Sequence, residues 1–189
     1  MPRIGLTHER VILEAATVAD EVGLERLTLA SIAQRFGVSL PSLYKHVRNL
    51  DSLKRDLAVL GVRDLTVALS AAAVGRAGRD ALLAIAQAYR HYAKVHPGRS
   101  AASVRAPAPD DAEHLAASEA ILGIFFAVLA GYGITGADAI DAIRSLRAAM
   151  HGFVTLEAAG GFGLPQSVDA TYNRLIDALD TAFVAWAAE

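Results

Sequence analysis

Residues 28–53 read TLASIAQRFGVSLPSLYKHVRNLDSL, and the organisation of the whole chain can be worked outward from this stretch. Thr28 stands where an N-cap belongs, ahead of Leu29, Ile32, Ala33 and Phe36, whose three- and four-residue steps mark one face of a short helix. Gly37 closes it, because glycine takes the left-handed conformation at a helix end without a Cβ clash. Val38 and Ser39 follow, and Leu40–Val47 is predicted as another helix, with Pro41 in the first turn, where a missing N–H costs nothing. Asn49 or Asp51 then caps a longer helix containing Leu53, Leu57, Leu60, Leu65 and Leu69. Two short helices joined by a glycine-containing turn make a helix-turn-helix. Leu29, Ile32, Ala33, Val38, Leu43 and Val47 are expected to pack the pair against the preceding helix. Ser39, Ser42, Lys45, His46 and Arg48 are left facing outward.

The flanking sequence continues in the same register. Thr7 caps a helix with Val11, Ile12, Ala15, Ala16, Val18, Ala19 and Val22 on its inner face, ended by Gly23. Beyond a small-residue break at residues 73–78, Asp80 begins a helix through Leu82, Ile85, Tyr89 and Tyr92, closed by His96-Pro97-Gly98. A loop is predicted for residues 99–109. Helices follow from Asp110-Asp111 to about Gly131 and from about Gly136 to about Ala159. A last one, capped by Ser167, runs to the C-terminus. No strand-like alternation and no repeat of solenoid period occurs. The expectation is an all-α fold of about nine helices. Residues 1–50 would form a three-helix helix-turn-helix domain and 51–189 a larger helical domain, with the fourth helix from about 51 as connector.

Composition agrees. Of 189 residues, 53% are apolar and 39 are alanine, the strongest helix former. There is no cysteine, which excludes a disulfide scaffold, a zinc-thiolate site and a thiol nucleophile, and fits a reducing cytoplasm. The N-terminus has no apolar core of signal-peptide length. The longest apolar stretch, Ile121–Ile134, is shorter than the ~20 residues of a membrane span, so a buried helix is expected and no membrane partner. Net charge is −2, and residues 1–60 carry eight basic against seven acidic side chains. A nucleic-acid partner would therefore have to be recognised by local arrangement rather than bulk charge.

That local arrangement exists. A short helix with an outward polar face fits a major groove ~12 Å wide and can present side chains to base edges and phosphates. Thr28 before the apolar run, Ile32-Ala33, Gly37-Val38-Ser39, Leu43-Tyr44-Lys45-His46-Val47 and the helix start at Leu50-Asp51-Ser52-Leu53 together resemble the DNA-binding domain of the tetracycline-repressor (TetR) family of bacterial transcription regulators. The family often has a Lys where this chain has Leu50. The resemblance implies that Tyr44 contacts phosphate, and a homodimer that binds an operator duplex and a small effector. Lys45 and Arg48 are cations suited to phosphate, and His46 to phosphate or a base. Ser39, Pro41 and Ser42 lie on the same helix start. Leu40 either touches a thymine methyl or packs, and Thr28 caps its helix with a hydroxyl also able to reach phosphate.

Further along, Met150-His151-Gly152 with Gly161-Phe162 and Pro165 resembles one subclass of C-terminal domains in that family, which has Trp-His-Gly at the corresponding place. Tyr89, Tyr92, Phe125, Phe126, Met150 and His151 either line a cavity for a largely apolar effector or belong to the core. His91 and His96 fall on different helix faces, so no metal site is expected, nor any cofactor. No nucleophile–base pairing or framed carboxylate pair suggests an enzyme. The alternative, a helical ligand-binding protein or enzyme without DNA binding, leaves the polar face of residues 39–48 unexplained.

Overall fold

The structure, a computed structural model, describes residues 6–186. Among them are nine α-helices. The first, α1 (His8–Val22), opens as its cap requires, with the Thr7 hydroxyl accepting the Arg10 N–H at 3.3 Å. A short 3-10 turn, Leu24–Arg26, follows that the periodicity did not reveal. At the start of α2 (Leu29–Phe36), Thr28 and Ser31 satisfy each other's backbone: Ser31 N–H donates to Thr28 Oγ1 (3.1 Å) and Thr28 N–H to Ser31 Oγ (3.3 Å). Gly37 ends α2 at φ 64°, ψ 34°.

The next helix is shorter than expected. α3 covers only Leu40–Leu43, and residues 44–46 are turns rather than helix. The tightening shows in the hydrogen bonds, where His46 N–H reaches back only three residues to the Leu43 carbonyl (2.9 Å). Ser39 does not cap α3; its Oγ lies 3.0 Å from Ser42 Oγ instead. Of the two caps considered for α4 (Leu50–Ala73), Asn49 fills the role, its Oδ1 accepting the Ser52 N–H at 2.8 Å. Asp51 pairs with Arg105 at 2.8 Å.

Contacts divide the chain into two compact units, each with its own core. One comprises residues through Asp64 together with Val95–Ala117. Val11, Ala15, Leu27, Ile32, Leu43, Val47, Leu53 and Leu57 are buried in it. Here the predicted loop is corrected: Pro97–Ala102 is a helix, α6, with Pro97 in its first turn and Gly98 inside it. Gly98 does not stop the helix; it permits close approach, since a Cβ there would lie 2.2 Å from the Ala19 carbonyl carbon. Gly61 of α4 does the same, as its Cβ would lie 2.5 Å from the Arg99 carbonyl oxygen. Asp20 anchors α6 further by accepting the Arg99 N–H at 2.9 Å.

The second unit comprises Leu65–Lys94 and the chain from Ser118 onward. It contains most of α5 (Gly78–Val95), all of α8 (Gly136–Ala158) and α9 (Val168–Trp186), and the later parts of α4 and α7 (Ala112–Ala130). Leu69, Leu82, Ile85, Leu129, Leu146, Met150, Tyr172, Ile176 and Phe183 form its core. Ser167 caps α9 by accepting the Ala170 N–H (3.2 Å); the expected extension beyond Trp186 lies outside the described residues. α7 is long and apolar enough, by length and composition, to cross a membrane. The expectation of a buried helix for this stretch is corrected: it buries Phe125, Val128 and Leu129 on one face but turns Leu122 and Phe126 outward, and most of its residues are not buried.

Candidate nucleic-acid interface

The segment Ser39–Arg48 is seated on the core by two side chains. Leu43 and Val47, four residues apart, are buried, and the rest of the segment is turned away from them. Ser39, Leu40, Pro41, Tyr44, Lys45 and Arg48 are exposed, while Ser42 and His46 are half-buried. Tyr44 is 55% exposed, which makes it a surface phenol rather than a core aromatic. Thr28 is exposed as well, its side chain engaged in the α2 cap.

Most arginines of this unit are paired with carboxylates. Arg35 pairs with Glu14 and Glu21, Arg63 with Glu113, Arg99 with Asp20 and Asp64, and Arg105 with Asp51. Arg55 of α4 holds Asp111, the residue capping α7, and also reaches Asp56 (2.9 Å) and Glu113 (2.7 Å). That guanidinium keeps the Asp111 carboxyl well below the usual carboxylate range. Lys45 and Arg48, by contrast, make no ion pair among the described residues. Two cations left to solvent on an exposed face are what counterion release from a polyanion rewards. Beside them lies an open groove of about 620 Å³ lined by His8, Tyr44, Lys45, His46, Arg48 and Ser52, together with Arg55 and Asp56 of α4.

Sequence reasoning did not single out His8, Ser52 or Arg55. His8 is the first residue of α1, yet its Nδ1 lies 2.7 Å from the His46 carbonyl oxygen and its Nε2 3.2 Å from Asp56 Oδ2. Pairings across 38 and 48 residues leave no trace in local periodicity. The only available signal was a histidine directly after an N-cap.

In the second unit the structure brings most of the candidate ligand residues into one region. Tyr89, Tyr92, Phe125 and Met150 are buried in its core. His151 is half-buried, with its Nδ1 3.3 Å from the Tyr89 hydroxyl. Burial pushes the Tyr89 phenol up and the His151 imidazole down, Arg147 adding to the latter. Phe126 is not with them: the next residue on α7 after Phe125, it points about 100° away and is 40% exposed. Nearby, Arg90 lies over the rings of Phe153 and Tyr172 and is held by Glu157 (2.5 and 2.8 Å) and Asp169 (2.7 Å).

Comparison with known proteins bears on both units. Residues 82–179 match the family described as tetracyclin repressor-like, C-terminal domain. An uncharacterised HTH-type transcriptional regulator of Mycobacterium tuberculosis is 39% identical over 156 residues, covering 82% of this chain and 72% of the relative. Another, from Bacillus subtilis, is 32% identical over 161 residues, covering 85% and 84%. A tetracycline repressor variant of Acinetobacter baumannii, solved in complex with minocycline, superimposes with a TM-score of 0.72 at 20% identity, over 98% of this chain and all of that one, and so shares the fold. The chain belongs to the tetracycline-repressor-like family of helix-turn-helix transcriptional regulators.

Proposed function

We propose that the chain is a homodimeric repressor that holds a near-palindromic DNA operator through residues 39–48 and releases it when a small, largely apolar molecule binds the second unit. One observation carries the reading: a segment anchored by Leu43 and Val47 presents Tyr44, Lys45 and Arg48 to solvent, with both cations free of ion pairs among the described residues. Tyr44, Lys45, Arg48 and Thr28 are the phosphate contacts. Ser39, Pro41, Ser42 and His46 face the groove, and the exposed Leu40 meets a thymine methyl. Residues 1–50 then serve as the reading domain and 51–189 as the effector and dimerisation domain, acting in the cytoplasm.

A second copy would cover Ile140 and Leu156 of α8 and Val184 and Trp186 of α9, large apolar side chains exposed in the single chain. Its recognition segment would lie about 34–36 Å from the first, or a multiple of that, to meet successive major grooves. The effector would be oriented by the Tyr89–His151 pair among Tyr92, Phe125 and Met150, with Phe126 turned away from them, and the minocycline-bound repressor of similar fold supports a small molecule in this role. By favouring one tilt of α4, such a ligand would shift the dimer away from the operator spacing, for which a few kcal/mol of differential affinity suffices. The test is a gel shift on duplex DNA from the region upstream of the chain's own gene. The expected result is a complex of two chains per site. A chain that retards no duplex contradicts the proposal and favours a ligand-binding protein without DNA.

A further inference from the structure

His8 occupies a position in which both of its ring nitrogens face acceptors. Nδ1 lies 2.7 Å from the carbonyl oxygen of His46, at the end of the recognition segment, and Nε2 lies 3.2 Å from Asp56 Oδ2 on α4. A carbonyl oxygen can only accept, and so can an ionised carboxylate. A neutral imidazole has one N–H, so either tautomer would satisfy one contact and turn a lone pair toward the other oxygen. The imidazolium alone donates to both. The His46 carbonyl lies in the turns that follow α3, past its last helical residue.

From this geometry we infer that protonated His8 is a positioning residue for DNA binding, clamping the end of the recognition segment to α4 and coupling operator affinity to pH. The inference rests on the DNA-binding reading above. His8 touches no base or phosphate in this role; it acts through the backbone that carries Tyr44, Lys45, His46 and Arg48. The charged and titratable groups facing it are known. Glu9 neighbours it on α1; Tyr44, Lys45, His46 and Arg48 come from the recognition segment; Arg55, Asp56 and Arg63 come from α4, and Glu113 from α7. Asp56 accepts from Arg55 as well, at 2.9 Å, so the clamp is fixed to a carboxylate already held on α4. Losing the proton breaks one of the two bonds and frees the segment end to rotate on Leu43 and Val47.

The test compares the wild-type chain with His8→Gln. The glutamine amide can still donate to the His46 carbonyl but does not ionise. Affinity for a fluorescent duplex from the upstream region is measured between pH 5.5 and 8.5. Because every other ionisable group is common to both proteins, the ratio of the two affinities isolates His8. Wild type should bind about two- to fivefold more tightly at pH 5.5, the His8 side chain being 55% exposed and its ion pair correspondingly screened, and the ratio should fall toward one by pH 8.5 with a slope below half a proton. A ratio that is constant across this range, whether at one or above it, overturns the clamp while leaving DNA binding intact. A wild-type chain that binds no duplex at any pH overturns the DNA-binding reading and the clamp with it. Nitrogen-15 spectra of the wild-type imidazole need no variant to fold: both His8 nitrogens should be protonated in the DNA complex at pH 6, and a neutral tautomer there refutes the proposal.

Discussion

Replacing Gly98 by alanine should be among the most damaging single-methyl changes in this chain. A Cβ built on Gly98 lies 2.2 Å from the carbonyl carbon and 2.3 Å from the carbonyl oxygen of Ala19, and 2.6 Å from the amide nitrogen of Asp20. All three are backbone atoms of α1, so no side chain can swing aside. Restoring an ordinary contact of 3.4 Å or more requires α6 to move off α1 by about 1.2 Å. That motion stretches the Arg99 N–H bond to Asp20 (2.9 Å) and the His96 contact with the same carboxylate (3.2 Å), and it loosens Ala102 in the core. Overpacking costs about 1–3 kcal/mol and the weakened hydrogen bonds about 1 kcal/mol each, against about 1 kcal/mol gained from alanine's helix propensity. The net is about 3 kcal/mol, or a fall of roughly 6–12 °C in melting temperature for a chain of this length. Far-UV circular dichroism at matched protein concentration measures it. Gly123→Ala on α7, where a Cβ meets nothing within 4 Å, is the control and should melt no lower than wild type. A Gly98→Ala protein that melts within a degree of wild type would refute the close packing of α6 on α1.

Two other substitutions read the electrostatics. Glu157→Gln weakens the hold on Arg90, whose side chain is 7% exposed, and should cost about 2–3 kcal/mol in urea denaturation, Asp169 being left as its partner. The Arg90 hydrogen bonds hold the Glu157 carboxyl down at about 2 against 4.5 for a free glutamate, so its stabilisation is present above pH 4.5 and lost as pH falls toward 2. The variant should show a shallower loss over that range, and an unchanged acid profile would contradict the pairing. His114 is buried at 1% exposure, and its Nε2 finds no hydrogen-bond partner among the described residues. Burial pushes its imidazole down from 6.5, so the unfolded chain takes the proton first and stability declines as pH drops below 6.5. His114→Leu should match or exceed the wild-type melting temperature at pH 7 and flatten that decline; a variant that is strongly destabilised at pH 7 would mean the ring has a partner it needs.

Much of the fold was legible because helix ends are written locally. Thr7, Thr28, Gly37, Asn49 and Ser167 each sit where their side chain or freedom of φ satisfies a backbone group within three or four residues. α6 was missed for a related reason: Pro97 and Gly98 break helices on average, yet here proline starts one and glycine serves a contact 79 residues away. The exposed face of residues 39–48 followed from the spacing of Leu43 and Val47. What lay beyond reach was everything set by distant pairs, such as Arg55 with Asp111 or His8 with Asp56, and the short extent of α3. Phe125 and Phe126 illustrate the same limit, since adjacent aromatics on one apolar helix diverge and only packing decides which is buried.

The central claim, that residues 39–48 are the DNA-reading surface, is tested most directly by the salt dependence of binding. Fluorescence anisotropy with the upstream duplex at several salt concentrations gives the slope of log affinity against log salt for wild type and for the Lys45→Ala, Arg48→Ala double variant. Each lost phosphate contact should flatten the slope by about one unit, so the double variant should lose about two per chain and bind all sequences more weakly. A double variant that keeps the wild-type slope would contradict the assignment of this face to DNA.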